Sequence, residues 1–184
     1  MNEVLKTIKN RRSVRHYSSE QICQESLDLI LDAGGYAPSA HNQQTWHFTV
    51  IQNQKLLEHI NETVRREMAG SEVEWIRKMG SNPDFLVTYN APTLIIVSGR
   101  TDGIAWAADC AAAIQNMLLA AESLDIGSVW LGLLRFFFEE KKNKDLLGIP
   151  DGYEPYYGVS FGYKVKDKIP VVPKRNLDVV NYIR

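Results

Sequence analysis

One stretch, residues 104–121, constrains the fold of this chain more than any other, because it is apolar on almost every side of a helix. Its only polar residues are Asp109, Gln115 and Asn116, and its many alanines allow neighbouring helices to approach it closely. A helix of this kind has to be buried on most of its sides. In a chain of 184 residues, we expect a second subunit to supply part of that burial.

The same stretch is a poor candidate for a membrane-spanning helix. It is only marginally long enough to cross a bilayer, no lysine or arginine anchors its ends, and Asp109 would be costly in lipid. Lys and Arg total 21 against 22 Asp and Glu, so the near-zero net charge disfavours nucleic-acid and anionic-membrane partners. The N-terminus lacks the apolar segment of a secretion signal, and we therefore expect a cytoplasmic protein.

Hydrophobic periodicity and turn residues predict a single domain over residues 1–184 in which helices outnumber strands. This order predicts an α+β sandwich with a small sheet between helices. Ser18 or Ser19 is the expected N-cap of the second helix. The predicted helices are 1–9, 20–36, 54–69, 104–124 and 138–147, and the predicted strands are 46–51, 93–98, 128–133 and 156–163.

Two segments show less regular patterns. Residues 70–90 indicate little beyond one helical turn. The tail, residues 164–184, contains Pro170 and Pro173, so it should be extended over much of its length. The end of this tail, residues 177–183, could add a strand to a sheet.

The cysteines and histidines form no recognisable metal site. Cys23 and Cys110 lie in apolar, helix-like stretches, and we expect both to be buried reduced thiols. Two cysteines so far apart favour neither a disulfide framework nor a zinc site. His16 and His41 lie in polar loops where a ligand could contact them, whereas the other two histidines are expected to be structural or solvated.

The first unusual segment is a basic loop, residues 11–17. Residues 1–15 hold five basic residues against one acidic residue in an otherwise neutral chain. If the loop is extended, Arg11, Ser13 and Arg15 face the same way, and two guanidinium groups with a hydroxyl suit phosphate oxygens. On charge alone, a solvated basic loop is the alternative interpretation.

The second unusual segment is a polar loop, residues 37–45. Its proline fixes the start of the loop, and its small residues would let a flat ligand approach the backbone. Its Asn and Gln side chains offer both donors and acceptors, which suits the edge of a heteroaromatic ring. On composition alone, a polar connection between a helix and a strand is the alternative.

Together the two loops resemble the flavin-dependent nitroreductase family. Residues 11–17 match its R-R-S-x-R-x-[FY] pattern, and residues 38–46 match P-S-x-x-N-x-Q-P-W except that Thr45 replaces the proline. The D-x-x-x-x-x-Q-N spacing at 109–116 and the G-x-x-W-x-G spacing at 127–132 extend the likeness, as do the glycines and prolines of the C-terminal third. Two further departures are Ala40, in place of a frequent serine, and residues 70–90, which do not match the ring-binding Asn and Lys of longer bacterial members.

The resemblance implies an FMN enzyme that is reduced by NADH or NADPH and passes electrons to a small nitroaromatic or quinone-like acceptor. The implied fold is a nitroreductase-like α/β/α sandwich with a small, mostly antiparallel sheet, assembled as an intertwined homodimer. FMN would lie at the subunit interface, and residues 164–184 would pack on the partner. The implied chemistry is a ping-pong hydride transfer at flavin N5, with no certain catalytic side chain. An FMN-binding sensor or storage module, or a divergent flavin enzyme such as a dehalogenase, stays open as an alternative.

The resemblance also implies the cofactor contacts. Arg11 would lie nearest the phosphate, Arg12 would act mainly through its backbone or on the phosphate, and the other chain would supply the polar loop. The backbone at the end of the third predicted strand would approach flavin N5. The implied contacts are Arg11, Arg12, Ser13, Arg15, Pro38, Ser39, Ala40, Asn42, Trp130, Leu131, Gly132, Lys174 and Arg175.

Overall fold

Four antiparallel strands form the only sheet of the described residues, in the order β1-β2-β4-β3. The computed structural model describes residues 1–165, 167–168, 170–176 and 178–184. Strand β2 is buried over all but its last residue, because its run of apolar residues lies in the centre of the sheet. The strands are β1 (Trp46–Ile51), β2 (Thr93–Arg100), β3 (Ile126–Leu131) and β4 (Tyr153–Tyr163).

In the described part of the chain, seven helices accompany this sheet, and two 3-10 turns, Ala40–Asn42 and Gly132–Leu134, lie in the connections. Within the described ranges, no helix has both the length and the hydropathy to cross a bilayer. The helices are α1 (Glu3–Asn10), α2 (Gln24–Gly35), α3 (Gln54–Ala69), α4 (Glu74–Gly80), α5 (Trp106–Ser123), α6 (Arg135–Phe138) and α7 (Lys141–Leu146).

The sheet separates two hydrophobic cores, which gives the α/β/α layering. On one face, α3 and α6 contribute residues such as Ile60 and Phe137. On the other face, α2 and α5 pack together, and Gly34 allows the close approach, since a Cβ there would lie 2.5 Å from Met117 Cε. Successive strand side chains point to opposite faces, so β2 supplies Leu94 to the first core and Ile95 to the second. The predicted α+β sandwich with a small antiparallel sheet is confirmed.

The predicted start of the second helix is wrong. Helix α2 begins after Cys23 rather than at residue 20, and neither Ser18 nor Ser19 caps it. The reason is tertiary, because Tyr17 bridges to Lys164 and the Ser18 N–H donates to the Tyr163 carbonyl. These contacts keep the chain extended where its local sequence would permit a helix.

The two cysteines differ, and the prediction that both are buried is wrong for one of them. Cys110 lies on α5 and is buried in the hydrophobic core on that side of the sheet, and its burial raises the pKa of its thiol to about 12. Cys23 is exposed because it precedes the first turn of α2 instead of lying inside the helix.

Near the C-terminus the structure differs from the prediction at three places. The predicted helix 138–147 is divided into α6 and α7, and the buried Asn143 ties the second to the first by donating to the Phe137 carbonyl. Strand β4 begins three residues earlier than predicted and tolerates Pro155 beside a shift in its register with β2. Residues 178–183 form no strand, and Leu177, where the predicted strand began, lies outside the described residues.

Candidate functional site

The basic loop and the tail line a cleft of about 550 Å³. The structure therefore brings the N-terminal arginines, which sequence pattern singles out, together with Arg175, which lies more than 150 residues away. Lys174 is not among the residues that line the cleft. The lining residues are Arg11, Arg12, Ser13, Arg15, His16, Lys168, Pro170, Val171, Pro173 and Arg175.

Pairing with the edge of the sheet positions the basic loop. Helix α1 ends where the Arg11 N–H donates to the Thr7 carbonyl, and the chain then runs parallel to β3. The Val14 N–H donates to the Ser128 carbonyl over 2.9 Å, and the Val14 side chain is buried. Because side chains alternate along an extended chain, Ser13 and Arg15 are left on the cleft side.

The cleft gathers positive charge. Partial burial, followed by the positive charges of Arg175 and Arg12, lowers the pKa of Arg11. Like charges that are held together in a partly dry site repel one another, so an anion bound there would relieve the repulsion. This electrostatic environment fits a phosphate group.

Arg12 uses its side chain differently from its neighbours. Its Nη1 donates to the carbonyls of Lys9 and Arg11, over 2.6 and 2.7 Å, at the carboxyl end of α1. A cation at this end of a helix is favourable, and the contacts hold the loop against the helix. Its Nε is buried and has no hydrogen-bond partner in the part of the chain that the structure describes. The arrangement agrees with an indirect role for this side chain.

The end of β3 presents an open backbone. Leu131 is buried and Trp130 is half-buried, with its ring edge on Tyr157 at a centroid distance of 5.4 Å. Gly132 is exposed, and a Cβ placed on it would meet no atom within 4 Å. None of these residues lines the cleft, although β3 is the strand along which the basic loop lies.

The polar loop lies elsewhere in the same protomer. Pro38, Ser39 and Ala40 do not line the cleft of the arginines, and Asn42 lines a separate depression beside Tyr36. The cofactor contacts implied by the resemblance thus fall into two regions of one chain, as expected if the polar loop serves the other subunit.

A buried carboxylate locks the polar loop in place. Asp109, in the first turn of α5, accepts a 3.1 Å hydrogen bond from the Ala40 N–H at Oδ1 and a 2.9 Å bond from the Thr45 hydroxyl at Oδ2. The departure at residue 45 therefore supplies a donor that proline lacks. The sequence analysis did not predict this contact. The feature that indicated it was the single carboxylate in an apolar helix, because a buried carboxylate needs hydrogen-bond donors.

The locked loop has a strained backbone. His41, Asn42 and Gln44 have positive φ angles of 51°, 55° and 46°, in the left-handed region that non-glycine residues seldom adopt. Such residues cost about 1–3 kcal/mol each and persist where the surroundings over-determine them. The contacts to Asp109 at both ends of this segment meet that requirement.

We expect Thr45→Val to lower the free energy of unfolding by about 1–3 kcal/mol, because it leaves Asp109 Oδ2 buried without a donor. Thr45→Ser is the matched control, since it keeps the hydroxyl and loses one methyl group, worth about 0.8 kcal/mol. Urea denaturation of the three proteins measures the difference. Equal losses in the two variants would show that the hydrogen bond contributes nothing.

The sequence of this chain is similar to those of known proteins. A model of the Nitroreductase family matches residues 8–163. A protein of Archaeoglobus fulgidus, provisionally named NADH dehydrogenase/NAD(P)H nitroreductase, is 37% identical over 168 residues, which are 91% of this chain and 89% of that protein. The FMN reductase (NAD(P)H) of Bacillus subtilis is 29% identical over 192 aligned positions, covering 99% of this chain and 74% of the reductase.

A solved structure agrees over the whole chain. The crystal structure of an FMN-bound nitroreductase from Bacteroides fragilis superposes with a TM-score of 0.92 at 37% identity, and the match covers 100% of both chains. Sequence and fold therefore lead to the same assignment, and the chain belongs to the nitroreductase family.

Proposed function

We propose that this protein is an FMN-dependent NAD(P)H oxidoreductase that reduces small nitroaromatic or quinone-like acceptors in a ping-pong cycle. The single observation that carries the proposal is the cluster of Arg11, Arg15 and Arg175 with Ser13 in one cleft. The FMN in the Bacteroides fragilis structure and the names of the two relatives support the same cofactor and electron donors. When bound, FMN supplies the hydride chemistry, and the protein supplies binding, orientation and electrostatics.

The chain's residues fit the phosphate end of FMN. Arg11 and Arg175 provide guanidinium groups that can form paired, charge-assisted hydrogen bonds with phosphate oxygens. Ser13 adds a hydroxyl on the same side of the loop. A phosphate dianion would offset both the partial burial and the repulsion from Arg175 and Arg12 that lower the pKa of Arg11. The phosphate thus binds where the protein alone leaves positive charge uncompensated.

Arg15 lies in the same cleft and suits the flavin ring rather than the phosphate. Reduction places negative charge near N1 and O2 of the ring, and a cation fixed beside those atoms stabilises the reduced form. We assign the remaining ring contacts to the backbone of Trp130, Leu131 and Gly132 and to residues 38–42 of the partner subunit. Arg175 closes over the phosphate in this proposal, whereas Lys174, which does not line the cleft, adds only nearby positive charge.

We propose further that the protein is a cytoplasmic homodimer, formed by one domain per chain. Helix α1 has no buried residue, and its apolar side chains Val4, Leu5 and Ile8 are 65%, 48% and 48% exposed. The tail, within residues 164–184, exposes several more apolar side chains, including Val171 and Val172. A second copy of the chain that covered both surfaces would also bring its polar loop to the flavin.

The proposed function predicts that bound flavin is reduced by NADH or NADPH without oxygen. Absorbance near 450 nm, about where flavins absorb, should fall when the donor is added, and a quinone or nitroaromatic should restore it. Flavin that stays oxidised with both donors would indicate a sensor or storage module instead. An acceptor that loses halide would indicate a dehalogenase.

We expect Arg11→Ala to weaken FMN binding roughly 10- to 100-fold, because a charge-assisted hydrogen bond contributes about 1.5–3 kcal/mol. Riboflavin, which lacks the phosphate, should bind almost unchanged. Arg66→Ala is the matched control, since it removes the same charge from an exposed position on α3. Calorimetric titration of both ligands makes the comparison. Equal losses for FMN and riboflavin would place Arg11 away from the phosphate.

We expect the wild-type protein to sediment at twice its 20.9 kDa chain mass at micromolar concentration. Ile8→Glu should favour the monomer, because it places a charge in the exposed apolar face of α1. Lys6→Glu introduces the same residue on the same helix, where the native side chain is already charged, and should leave the dimer intact. A wild-type protein that is monomeric and carries FMN would contradict the proposed assembly.

A further inference from the structure

Residues 70–90 do not match the ring-binding Asn and Lys of longer bacterial members, yet they bring an aromatic ring to the basic loop. The guanidinium carbon of Arg15 lies 5.6 Å from the centroid of the Tyr89 ring. A cation within about 6 Å of an aromatic face is attracted by the negative charge above the ring. Tyr89 therefore contacts the residue that we place beside the flavin ring.

The backbone at Tyr89 is held in an unusual conformation. Tyr89 and Asn90 have φ angles of 55° and 58°, two consecutive left-handed residues that are not glycine. Such a turn persists only where its surroundings fix it, and strained turns of this kind cluster at ligand sites. The turn is closed by the Tyr89 N–H, which donates to the Leu86 carbonyl, and by the Ala91 N–H, which donates to the Thr88 carbonyl.

A buried polar network anchors this turn to the core. The Thr88 N–H donates to Asn61 Oδ1 over 3.1 Å, and Asn61 Nδ2 donates to the Thr88 hydroxyl over 2.9 Å. The Ser160 hydroxyl donates to the Thr88 carbonyl over 2.9 Å. Asn61 belongs to α3 and Ser160 to β4, and all three residues are buried. The backbone that leads into Tyr89 is therefore fixed by two regular elements outside the cleft.

Arg15 itself has few other restraints. Its side chain is exposed, and it forms no ion pair within the ranges that the structure describes. Its side-chain hydrogen bond to the Ser13 carbonyl, donated by Nη1, is long at 3.5 Å. A long cationic side chain in this setting samples many rotamers unless a neighbour restrains it.

We propose that Tyr89 is a positioning residue, whose ring holds the Arg15 guanidinium at the flavin edge where negative charge develops on reduction. The inference rests on the proposed function, and it assigns a role to a residue in the segment that lacks the ring-binding Asn and Lys of longer bacterial members. The ring acts through Arg15 and therefore affects the stability of reduced FMN more than that of oxidised FMN. Tyr89 thus sets part of the midpoint potential of the bound flavin.

The test is a dye-equilibrated redox titration of the FMN-loaded protein and its Tyr89 variants. Tyr89→Asn removes the ring and tolerates a left-handed backbone. We expect it to weaken binding of reduced relative to oxidised FMN about two- to five-fold, the scale of one exposed cation–π contact. This ratio corresponds to a potential lower by about 10–20 mV, because tenfold is about 30 mV for two electrons. Tyr89→Phe keeps the ring and should retain the wild-type potential.

A double-mutant cycle with Arg15→Ala separates positioning from a general effect on the fold. Arg15→Ala should lower the potential by itself, and adding Tyr89→Asn to it should cause no further shift. If Tyr89→Asn does not fold, Tyr89→Leu takes its place in the cycle. A shift of equal size in the Arg15→Ala background, an unchanged potential in the single variant, or an equal shift in Tyr89→Phe would each overturn the inference.

The same experiment distinguishes this inference from the proposed function. A wild-type protein that binds no FMN would contradict the proposed function before any variant is compared. A wild-type protein that binds FMN, with a potential that does not depend on Tyr89, would contradict the positioning role alone.

Discussion

The hydrogen bond from the Val14 N–H to the Ser128 carbonyl is the contact on which the arrangement of the site depends. It lays the basic loop along β3, the edge strand, and so covers backbone groups that would otherwise be open to other chains. With Val14 buried, alternation leaves Ser13 and Arg15 on the cleft side, beside the strand that ends at Leu131. One backbone pairing therefore relates the proposed phosphate contacts to the proposed ring contacts.

The cluster of arginines in the cleft lowers the stability of the folded protein and would favour binding of an anion. Arg11, Arg12 and Arg175 share one cleft. Partial burial, and then repulsion from Arg175 and Arg12, lowers the pKa of Arg11. The fold tolerates the repulsion because Arg12 caps α1 with its Nη1 and the other two remain at the surface of the cleft. A ligand that binds only the folded state stabilises it by mass action, so a phosphate-bearing cofactor would contribute to folding as well as to chemistry.

The local sequence predicts the bounds of a helix or strand correctly where neighbouring residues determine them. It predicts them wrongly where contacts with distant residues determine them. Strand β1 and helix α3 have the predicted bounds, because β-branched and aromatic residues mark the strand and helical periodicity marks the helix. The predicted start of α2 is wrong because Tyr17 pairs with Lys164 and Ser18 with Tyr163, at the end of β4. These contacts keep the segment before α2 extended. The turn at Tyr89 could not be predicted, since its anchors, Asn61 and Ser160, lie 27 and 72 residues from Thr88. The loops of the candidate site were recognisable, whereas the contacts that shape them were not.

The separation of the two loops within one chain has a consequence for how the site is assembled. The arginines lie in one cleft, and the polar loop lies on the α5 side, where Asp109 holds it. If FMN needs both loops, each flavin requires two chains, and dimer formation and cofactor binding favour each other. The strained conformation of the polar loop would then favour association of the two chains. Its shape is set within each protomer by Asp109, so association can join two rigid surfaces without the entropic cost of ordering a loop.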